Sequence, residues 1–298
     1  MPMENRSIDN HWRTFATSPA RSAKFGARIM AVALLLLVVP ALALAQPVVG
    51  VLGITREVAP IERRLQDSRE VTVRGFVFRV GVLNGRQVVV GRSGIGKVNA
   101  AIVATLMIGE FNPSAIVFSG TAGAVDPGLH PGDVVIGASV AQHDIGVQTS
   151  GGIQRRGMRN AVTGELDPLL LPAPEALLDA ARRSAQGLSL PPVRMTDGQE
   201  RVPRIVEGVI VTGDVFVSDD AHRGALRDTL GAVAVEMEGA AVVQVCRQFG
   251  IACLVVRSIT DRADGKAQDS YQQFLIPASE NAATLVAAVV ARLDARVR

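Results

Sequence analysis

Residues 232–261 read AVAVEMEGAAVVQVCRQFGIACLVVRSITD, and this stretch predicts a strand, a helix and a second strand in succession. Ala232–Val235 is a short apolar run, and Glu238–Phe249 is an apolar helical stretch that Gly250 ends as a C-terminal cap. Ala252–Arg257 is again almost wholly apolar, which is typical of a strand buried inside a sheet. The strand–helix–strand order predicts an α/β domain.

The same alternation of short β-branched runs and longer amphipathic stretches continues on the N-terminal side. Further strands are predicted at Val48–Gly53, Phe76–Val82, Gln87–Val90, Ala115–Ser119, Val134–Val140 and Gly208–Val211, and further helices near Lys97–Glu110, Pro174–Gln186, Ala221–Leu230 and Ser270–Arg296. Asn84-Gly85 is a type I′ hairpin signal, and residues 145–174, rich in Gly, Arg and Pro, are expected to form a long loop. No repeat or linker is evident, so residues 46–298 are expected to form one domain.

Composition and charge narrow the class of protein. The 298 residues are 48% hydrophobic and 20% charged, which favours a compact fold over disorder. The net charge is +3, but residues 1–45 contain five basic and two acidic side chains, so the remainder has 26 of each sign. A nearly neutral folded part does not indicate a nucleic-acid-binding face.

Residues 1–45 have the order of a signal peptide. A basic region precedes the apolar stretch Ile29–Leu44, and Ala43-Leu44-Ala45 forms a small-x-small cleavage site before Gln46. An uncleaved membrane anchor is the alternative, because the apolar stretch approaches the length of a spanning helix. Pro40 and the Ala-x-Ala ending favour cleavage, so the mature protein is expected in a periplasm or secreted space.

The sequence contains only two cysteines, Cys246 in a predicted helix and Cys253 in the following strand. An exported protein meets conditions in which thiols can oxidise. Both cysteines nevertheless have apolar surroundings, and free buried thiols are expected here in preference to a bridge.

Two motifs suggest other chemistries that the surrounding residues do not support. Gly91–Val98 has nearly the spacing of a phosphate-binding loop, but Val98 stands where a Ser or Thr would hold magnesium. A tight turn that lets the helix pack on the strand is favoured instead. His143-Asp144 has no Gly-x-Ser-x-Gly partner, and the histidines after Gln46 are too scattered along the sequence to predict a metal site.

Four carboxylates follow or end predicted strands, at the edge where α/β sheets bind ligands. They are Glu57, Glu236, Glu238 and Asp261. Three have an ordinary alternative explanation: Glu57 as a solvated residue of a first helical turn, Glu238 as a partner of a helix dipole, and Asp261 as an N-cap. Glu236 ends a buried strand, where a carboxylate that accepts hydrogen bonds from a polyol is the better explanation. Thr121–Gly123 either borders a ligand or forms an ordinary turn.

Six segments, in this order and spacing, resemble the 5′-methylthioadenosine/S-adenosylhomocysteine nucleosidases of the purine-nucleoside phosphorylase superfamily. They are Ser93–Ala101, Gly120–Gly123, Gly132–Val135, Thr212–Phe216, Val235–Glu238 and Val255–Asp261. The resemblance covers residues 48–298 and implies a single-domain, three-layer α/β/α fold with a central mixed sheet, like that of nucleoside phosphorylases. It implies hydrolysis of the N-glycosidic bond of a purine nucleoside, such as 5′-methylthioadenosine or S-adenosylhomocysteine. It also implies a homodimer that uses no cofactor and no metal.

The resemblance assigns roles to individual residues. Asp261 is expected to protonate purine N7, Glu57 to orient or activate the attacking water, and Glu238 to bind the ribose hydroxyls. The other expected contacts are Phe216 stacked on the base, backbone near Val217 at the base edge, Met237 at the sugar, Thr121, Ala122 and Gly123 bordering the ligand, and Arg257 and Thr260 holding the loop that carries Asp261. One carboxyl must stay protonated while its neighbours ionise, which a cleft that gathers like charges provides.

The sequence departs from the family pattern in three places. The turn before Glu57 is one residue shorter, and Thr121 and Thr260 stand where serine is frequent. The loop after His143-Asp144 does not match the segment with which a partner subunit closes the pocket for the 5′-substituent, so the 5′-group is left open. Two alternatives also stay open: a phosphorylase in which Arg56 or Arg92 contacts phosphate, and a nucleoside-binding protein without catalysis.

Overall fold

A ten-stranded mixed sheet forms the centre of residues 47–293, the part of the chain that this computed structural model describes. The strands are β1 (Val49–Gly53), β2 (Gln66–Val73), β3 (Phe76–Leu83), β4 (Arg86–Arg92), β5 (Ala115–Ala124), β6 (Val134–Gln142), β7 (Gly146–Thr149), β8 (Gly152–Arg155), β9 (Leu171–Pro172), β10 (Val193–Arg194), β11 (Glu200–Arg201), β12 (Ile205–Thr212), β13 (Ala232–Glu236) and β14 (Ala252–Asp261). The helices are α1 (Thr55–Arg63), α2 (Lys97–Phe111), α3 (Glu175–Ala185), α4 (Asp220–Leu230), α5 (Gly239–Phe249) and α6 (Ala267–Arg292).

The strand order in the sheet is β13-β12-β6-β14-β5-β1-β4-β3-β2, with β9 added beside β6. β1 runs parallel to β4 and β5, and β14 runs parallel to β5 but antiparallel to β6. The edge strand β13 also makes an antiparallel contact with β5, where Val235 is opposite Gly123. Since Asp261 is paired with the same glycine, β5 brings the ends of β13 and β14 together.

Helices cover both faces of the sheet, and each face has its own apolar core. On one face, α1, α3 and α6 contribute residues such as Ile61, Leu177 and Leu285. On the other face, α2 and α5 contribute residues such as Val103 and Val242. The predicted three-layer α/β fold with a mixed sheet is confirmed.

Within residues 47–293, α6 is the one helix that is long and apolar enough to cross a membrane. In its most apolar window, 67% of the residues are buried, and the helix packs on the sheet, so it is a core helix. It ends at Arg292, and the last residues of the predicted helix, together with the predicted signal peptide, lie outside the described residues.

The structure differs from the sequence prediction in residues 145–174. In place of one long loop, β7 and β8 form a hairpin and β9 joins the sheet beside β6. The predicted hairpin turn is confirmed, because Asn84 and Gly85 both have positive φ angles, of 49° and 79°. Strands β5 and β14 continue beyond their predicted ends and include the glycine-rich segment and Asp261.

The expectation of free thiols is wrong, because Cys246 and Cys253 form a disulfide. Gly250 adopts a φ of 67° after α5 and reverses the chain, which brings the end of the helix beside the start of β14. The two Cα atoms are 6.2 Å apart, within the range that a disulfide spans. The bridge therefore joins the helix that follows Glu238 to the strand that ends at Asp261.

Candidate active site

A cavity of about 310 Å³ lies at the edge of the sheet where β5, β13 and β14 end. Its volume is that of a small-molecule site. Most of the residues expected at the site line it: Glu57, Thr121, Ala122, Gly123, Phe216, Glu236, Met237, Glu238, Thr260 and Asp261. Val217 lines a smaller cavity beside Phe216, and Arg257 lies behind the wall.

Asp261 ends β14, and only 2% of the residue is exposed. Its Oδ1 accepts a hydrogen bond from the backbone N–H of Ala263 at 2.9 Å, and its Oδ2 accepts one from Thr260 Oγ1 at 2.8 Å. These bonds favour the ionised carboxylate, but burial outweighs them and raises the pKa of Asp261. The carboxyl therefore keeps its proton to a higher pH than an ordinary aspartate, as a general acid requires.

Glu57 is the third residue of α1, and only 3% of it is exposed. Its Oε1 accepts a hydrogen bond from Thr121 Oγ1 at 2.5 Å. Its Oε2 lies against Gly120, where a Cβ would approach it to 2.7 Å. Burial raises the pKa of Glu57, and the positive charge of Arg257 is the largest opposing influence. Glu57 is thus a buried carboxylate of the cavity, and its explanation as a solvated residue is wrong.

Glu238 immediately precedes α5 and accepts a hydrogen bond from the backbone N–H of Gly96 at 2.8 Å. Burial, together with the negative charge of Glu236, raises the pKa of Glu238 to about 8. Gly96, with a φ of 88°, belongs to the turn whose spacing is nearly that of a phosphate-binding loop. The turn presents this N–H to a carboxylate of the protein itself, and the interpretation as a tight turn fits the structure.

Asp144, from the His143-Asp144 motif, belongs to a ring of hydrogen bonds at the rim of the site. Lys97 Nζ donates to Asp144 Oδ1 at 2.7 Å, and the backbone N–H of Asp214 donates to Asp144 Oδ2 at 2.9 Å. Asp214 Oδ1 in turn accepts from the backbone N–H of Lys97 at 2.8 Å. The ring joins the start of α2 to the segment that leads to Phe216, so the motif is structural here.

Glu236 lines the cavity as expected, but Glu236 and Arg257 make different contacts from those expected. Arg257 does not hold the Asp261 loop: its Nη2 and Nε donate to Glu236 Oε2 at 2.5 and 3.1 Å. Its guanidinium also lies 4.1 Å from the ring centroid of Phe118. Glu236 further accepts hydrogen bonds from Thr212 Oγ1 and from the backbone N–H of Gly239. The physical reason is that a buried guanidinium requires a buried counter-charge, and Glu236 across the sheet supplies it.

Phe216 projects into the cavity with 40% of the residue exposed, as a ring that stacks on a ligand would. Its ring meets that of Tyr271 edge to face, with centroids 6.2 Å apart. Tyr271 and Gln268, one turn apart on α6, also line the cavity and were not predicted. The available signal was weak: Tyr271 is the only tyrosine in the chain and stands near the start of the last predicted helix.

Known proteins are similar to this chain in sequence and in fold. The pattern of the phosphorylase superfamily matches residues 47–291. A 5′-methylthioadenosine/S-adenosylhomocysteine nucleosidase of Marinomonas sp. is 38% identical over 243 residues, which cover 80% of this chain and 96% of that protein.

Solved structures agree with the sequence comparison. The 5′-methylthioadenosine/S-adenosylhomocysteine nucleosidase of Neisseria meningitidis, in complex with methylthio-immucillin-A, is 32% identical with a TM-score of 0.69, covering 83% of this chain and 99% of that one. The futalosine hydrolase of Helicobacter pylori is 30% identical with a TM-score of 0.69, again covering 83% and 99%. The chain therefore belongs to the phosphorylase superfamily and, within it, to the family of the 5′-methylthioadenosine/S-adenosylhomocysteine nucleosidases.

Proposed function

We propose that this chain hydrolyses the N-glycosidic bond of purine nucleosides and releases the free base and the ribose moiety. The observation that carries the proposal is that Asp261, Glu57 and Glu238 line one cavity, each with a pKa raised by burial. Breaking the bond builds negative charge on the base and positive charge on the sugar, so an acid must meet the base while carboxylates face the ribose. Membership in the nucleosidase family supports the same reaction.

In the proposed reaction, Asp261 donates its proton to purine N7 while the C1′–N9 bond breaks and its electron pair moves into the base. A water oxygen bonds to C1′ from the opposite face, and Glu57 accepts the proton that this water loses. Since burial raises the pKa of Glu57, its carboxylate is a stronger base than an ordinary glutamate. Glu238 accepts hydrogen bonds from the ribose hydroxyls. Solvent then returns the proton from Glu57 to Asp261, which completes the cycle.

Water is favoured over phosphate as the acceptor because the arginines that could hold phosphate are engaged or lie outside the cavity lining. Arg92 donates to both carboxylate oxygens of Glu62, at 2.9 and 2.7 Å. Arg56 is exposed and does not line the cavity. A binding protein without catalysis would not need Asp261 and Glu57 buried in the same cavity.

The proposed homodimer uses the exposed face of α2. Val98 and Ile102, one turn apart, are 69% and 42% exposed, and Ile95 just before the helix is 60% exposed. Ile95 also lines the cavity, so a second copy on this face would border the active site. Exposed apolar side chains grouped in this way are typical of subunit interfaces. Static light scattering should give the mass of a dimer, and the Val98→Asp/Ile102→Asp variant should give that of a monomer.

Export to a periplasm or secreted space is proposed from the signal-peptide pattern of residues 1–45. The Cys246–Cys253 disulfide supports this location, because disulfides persist mainly in oxidising compartments. N-terminal sequencing of the protein from the periplasmic and culture fractions should give a start at Gln46. An intact N-terminus in the membrane fraction would instead support the anchor.

The experiment that tests the proposed function is base release in phosphate-free buffer. Adenosine, inosine, 5′-methylthioadenosine and S-adenosylhomocysteine are each incubated with the enzyme, with and without added phosphate. We expect free base and free ribose moiety in both buffers. An absolute requirement for phosphate would instead show a phosphorylase, and no base release from any of the four would favour a binding protein.

A further inference from the structure

The loop that follows Asp261 is contacted by an arginine of another element. Arg257, which the sequence predicted for this role, is engaged in the buried ion pair. Arg223 lies near the start of α4, and its Nη1 donates a hydrogen bond to the carbonyl oxygen of Arg262 at 2.8 Å. Its Nη2 pairs with Asp220, three residues earlier on the helix, at 2.6 Å. Arg223 therefore joins α4 to the residue directly after Asp261.

The contacted carbonyl belongs to the same peptide group that donates to Asp261. In the Arg262–Ala263 peptide, the C=O accepts from Arg223 at 2.8 Å and the N–H donates to Asp261 Oδ1 at 2.9 Å. The C=O and N–H of a trans peptide point in opposite directions, so Arg223 and Asp261 contact opposite sides of one planar group. A charged donor at the C=O polarises the peptide and strengthens its N–H as a donor.

The backbone conformation of Ala263 needs support of this kind. Ala263 has a φ of 50°, in the left-handed region that costs energy for a residue with a side chain. Such a conformation persists only where the surrounding structure holds it. Ala263 is fully buried in an apolar cluster that includes Leu226, and Leu226 belongs to α4, as Arg223 does. Helix α4 therefore supplies this loop with both an apolar side chain and a hydrogen bond.

The hydrogen bond from Ala263 matters most when Asp261 loses its proton. Burial disfavours the ionised carboxylate, and the Ala263 N–H is the largest influence that lowers the pKa of Asp261 against it. In the proposed reaction Asp261 gives its proton to purine N7, so this N–H stabilises the carboxylate that develops in the transition state. Displacement of the N–H therefore slows the proton transfer to the base.

We propose that Arg223 is a positioning residue that holds the Arg262–Ala263 peptide against Asp261, so that the carboxylate formed by proton transfer to the base is stabilised. This inference rests on the proposed function and adds to it a residue that does not line the cavity. Because Arg223 acts through the peptide and not on the substrate, its removal should slow only substrates whose leaving group needs an acid.

The test compares the best purine nucleoside with para-nitrophenyl β-ribofuranoside, whose leaving group departs as an anion without an acid. The ratio of the two kcat/KM values does not depend on the fraction of enzyme that is folded, so it separates an effect on the acid from a loss of stability. In Arg223→Met the ratio should fall about tenfold, the loss expected for one charge-assisted hydrogen bond. Arg223→Lys can still donate to the Arg262 carbonyl and should recover most of the purine activity.

Arg227→Met is the matched control. Arg227 lies one turn further along α4, its side chain is half exposed, and it pairs with the neighbouring Asp228. The ratio in this variant should equal that of the wild type. If Arg223→Met does not fold, Arg223→Gln takes its place, because the shorter neutral side chain also removes the charged donor and should give a similar fall.

Each other outcome overturns the inference in a recognisable way. An unchanged ratio in Arg223→Met, or an equal loss with both substrates, means that Arg223 does not act on the acid, while the proposed function stands. Purine release as slow in Arg223→Lys as in Arg223→Met excludes the hydrogen bond as the cause, whether or not the aryl riboside is cleaved. An equal fall in Arg227→Met assigns the effect to the overall charge of α4. If the wild-type enzyme releases base from none of the four nucleosides, the proposed function fails and this inference fails with it.

Discussion

The Arg257 guanidinium and the Glu236 carboxylate form an ion pair in which the two side chains are only 1% and 2% exposed. A charge buried to this extent is tolerated because its partner is buried with it. The pair lies directly behind Glu57, whose Oε2 approaches the same glycine, Gly120, as the guanidinium does. The Arg257–Glu236 ion pair therefore packs behind the wall of the active site.

Removal of one partner of this pair should destabilise the protein strongly. Arg257→Met leaves the Glu236 carboxylate buried without its counter-charge and is expected to lower the free energy of unfolding by about 3–5 kcal/mol. Urea denaturation followed by circular dichroism measures the loss. Arg257→Met/Glu236→Gln removes both charges and should recover part of the stability. A double variant that is less stable than Arg257→Met alone would contradict this explanation.

Loss of the disulfide should reduce stability without changing catalysis. The bridge closes a short loop, so Cys246→Ala/Cys253→Ala is expected to lower the free energy of unfolding by about 2 kcal/mol. The cysteines lie near the end of α5 and the start of β14, away from Glu238 and Asp261 at the opposite ends of these elements. Base release at 25 °C should therefore match that of the wild type. A variant with full stability would show that the bridge does not constrain the unfolded chain.

The raised pKa of Glu238 should make the unliganded protein less stable as pH increases. Folded Glu238 keeps its proton to about pH 8, whereas the unfolded chain ionises near 4.5, so the folded state binds the extra proton between these values. This contribution is complete below pH 4.5 and is lost as pH rises through 8, with a slope of up to about 1.4 kcal/mol per pH unit.

Unfolding free energies measured from pH 5 to 8 should decline less steeply in Glu238→Gln than in the wild type. Glu57 and Asp261, whose pKa values are also raised, add slopes of the same sign, so the decline is reduced and not abolished. Glu165→Gln, at an exposed loop position, serves as the control and should keep the wild-type slope. Equal slopes in all three proteins would mean that Glu238 is ionised in the folded state.

Gly120 should be essential to the position of Glu57. In Gly120→Ala the new Cβ would lie 2.7 Å from Glu57 Oε2 and 2.8 Å from Arg257 Nη1, so the carboxylate has to move. A displacement of this size near the reacting atoms is expected to lower kcat/KM by about 100-fold. Gly109→Ala is the matched control, because a Cβ on this α2 glycine meets no atom within 4 Å. Equal activity of the two variants would mean that the exact position of Glu57 is unimportant.

The sequence predicted the structure correctly where a local pattern of residues is compatible with only one type of element. Apolar runs predicted the strands, and the shared carboxyl edge of these strands predicted that Glu57, Glu238 and Asp261 would meet, which the structure confirms by placing all three in one cavity. The family resemblance added the expected role of Phe216, a ring that no local pattern distinguishes from a surface aromatic.

The sequence was uninformative where contacts depend on the sheet order. The pairing of Arg257 with Glu236 requires β13 to curl back onto β5, which no periodicity in either strand predicts. Tyr271 enters the cavity because the first turns of α6 place its ring against Phe216, again a tertiary contact. The disulfide was missed because apolar surroundings are shared by free and bridged cysteines, and the turn at Gly250 decides between them.

The most direct test of the central claim compares two leaving groups in the Asp261→Asn variant. A purine must be protonated to leave, whereas para-nitrophenolate leaves as an anion without help. Asn cannot donate a proton to N7, so kcat/KM for the best purine nucleoside should fall by about 10²–10⁴. The kcat/KM for para-nitrophenyl β-ribofuranoside should change far less. Equal losses for both substrates, or unchanged purine release, would contradict the assignment of Asp261 as the acid that protonates the departing base.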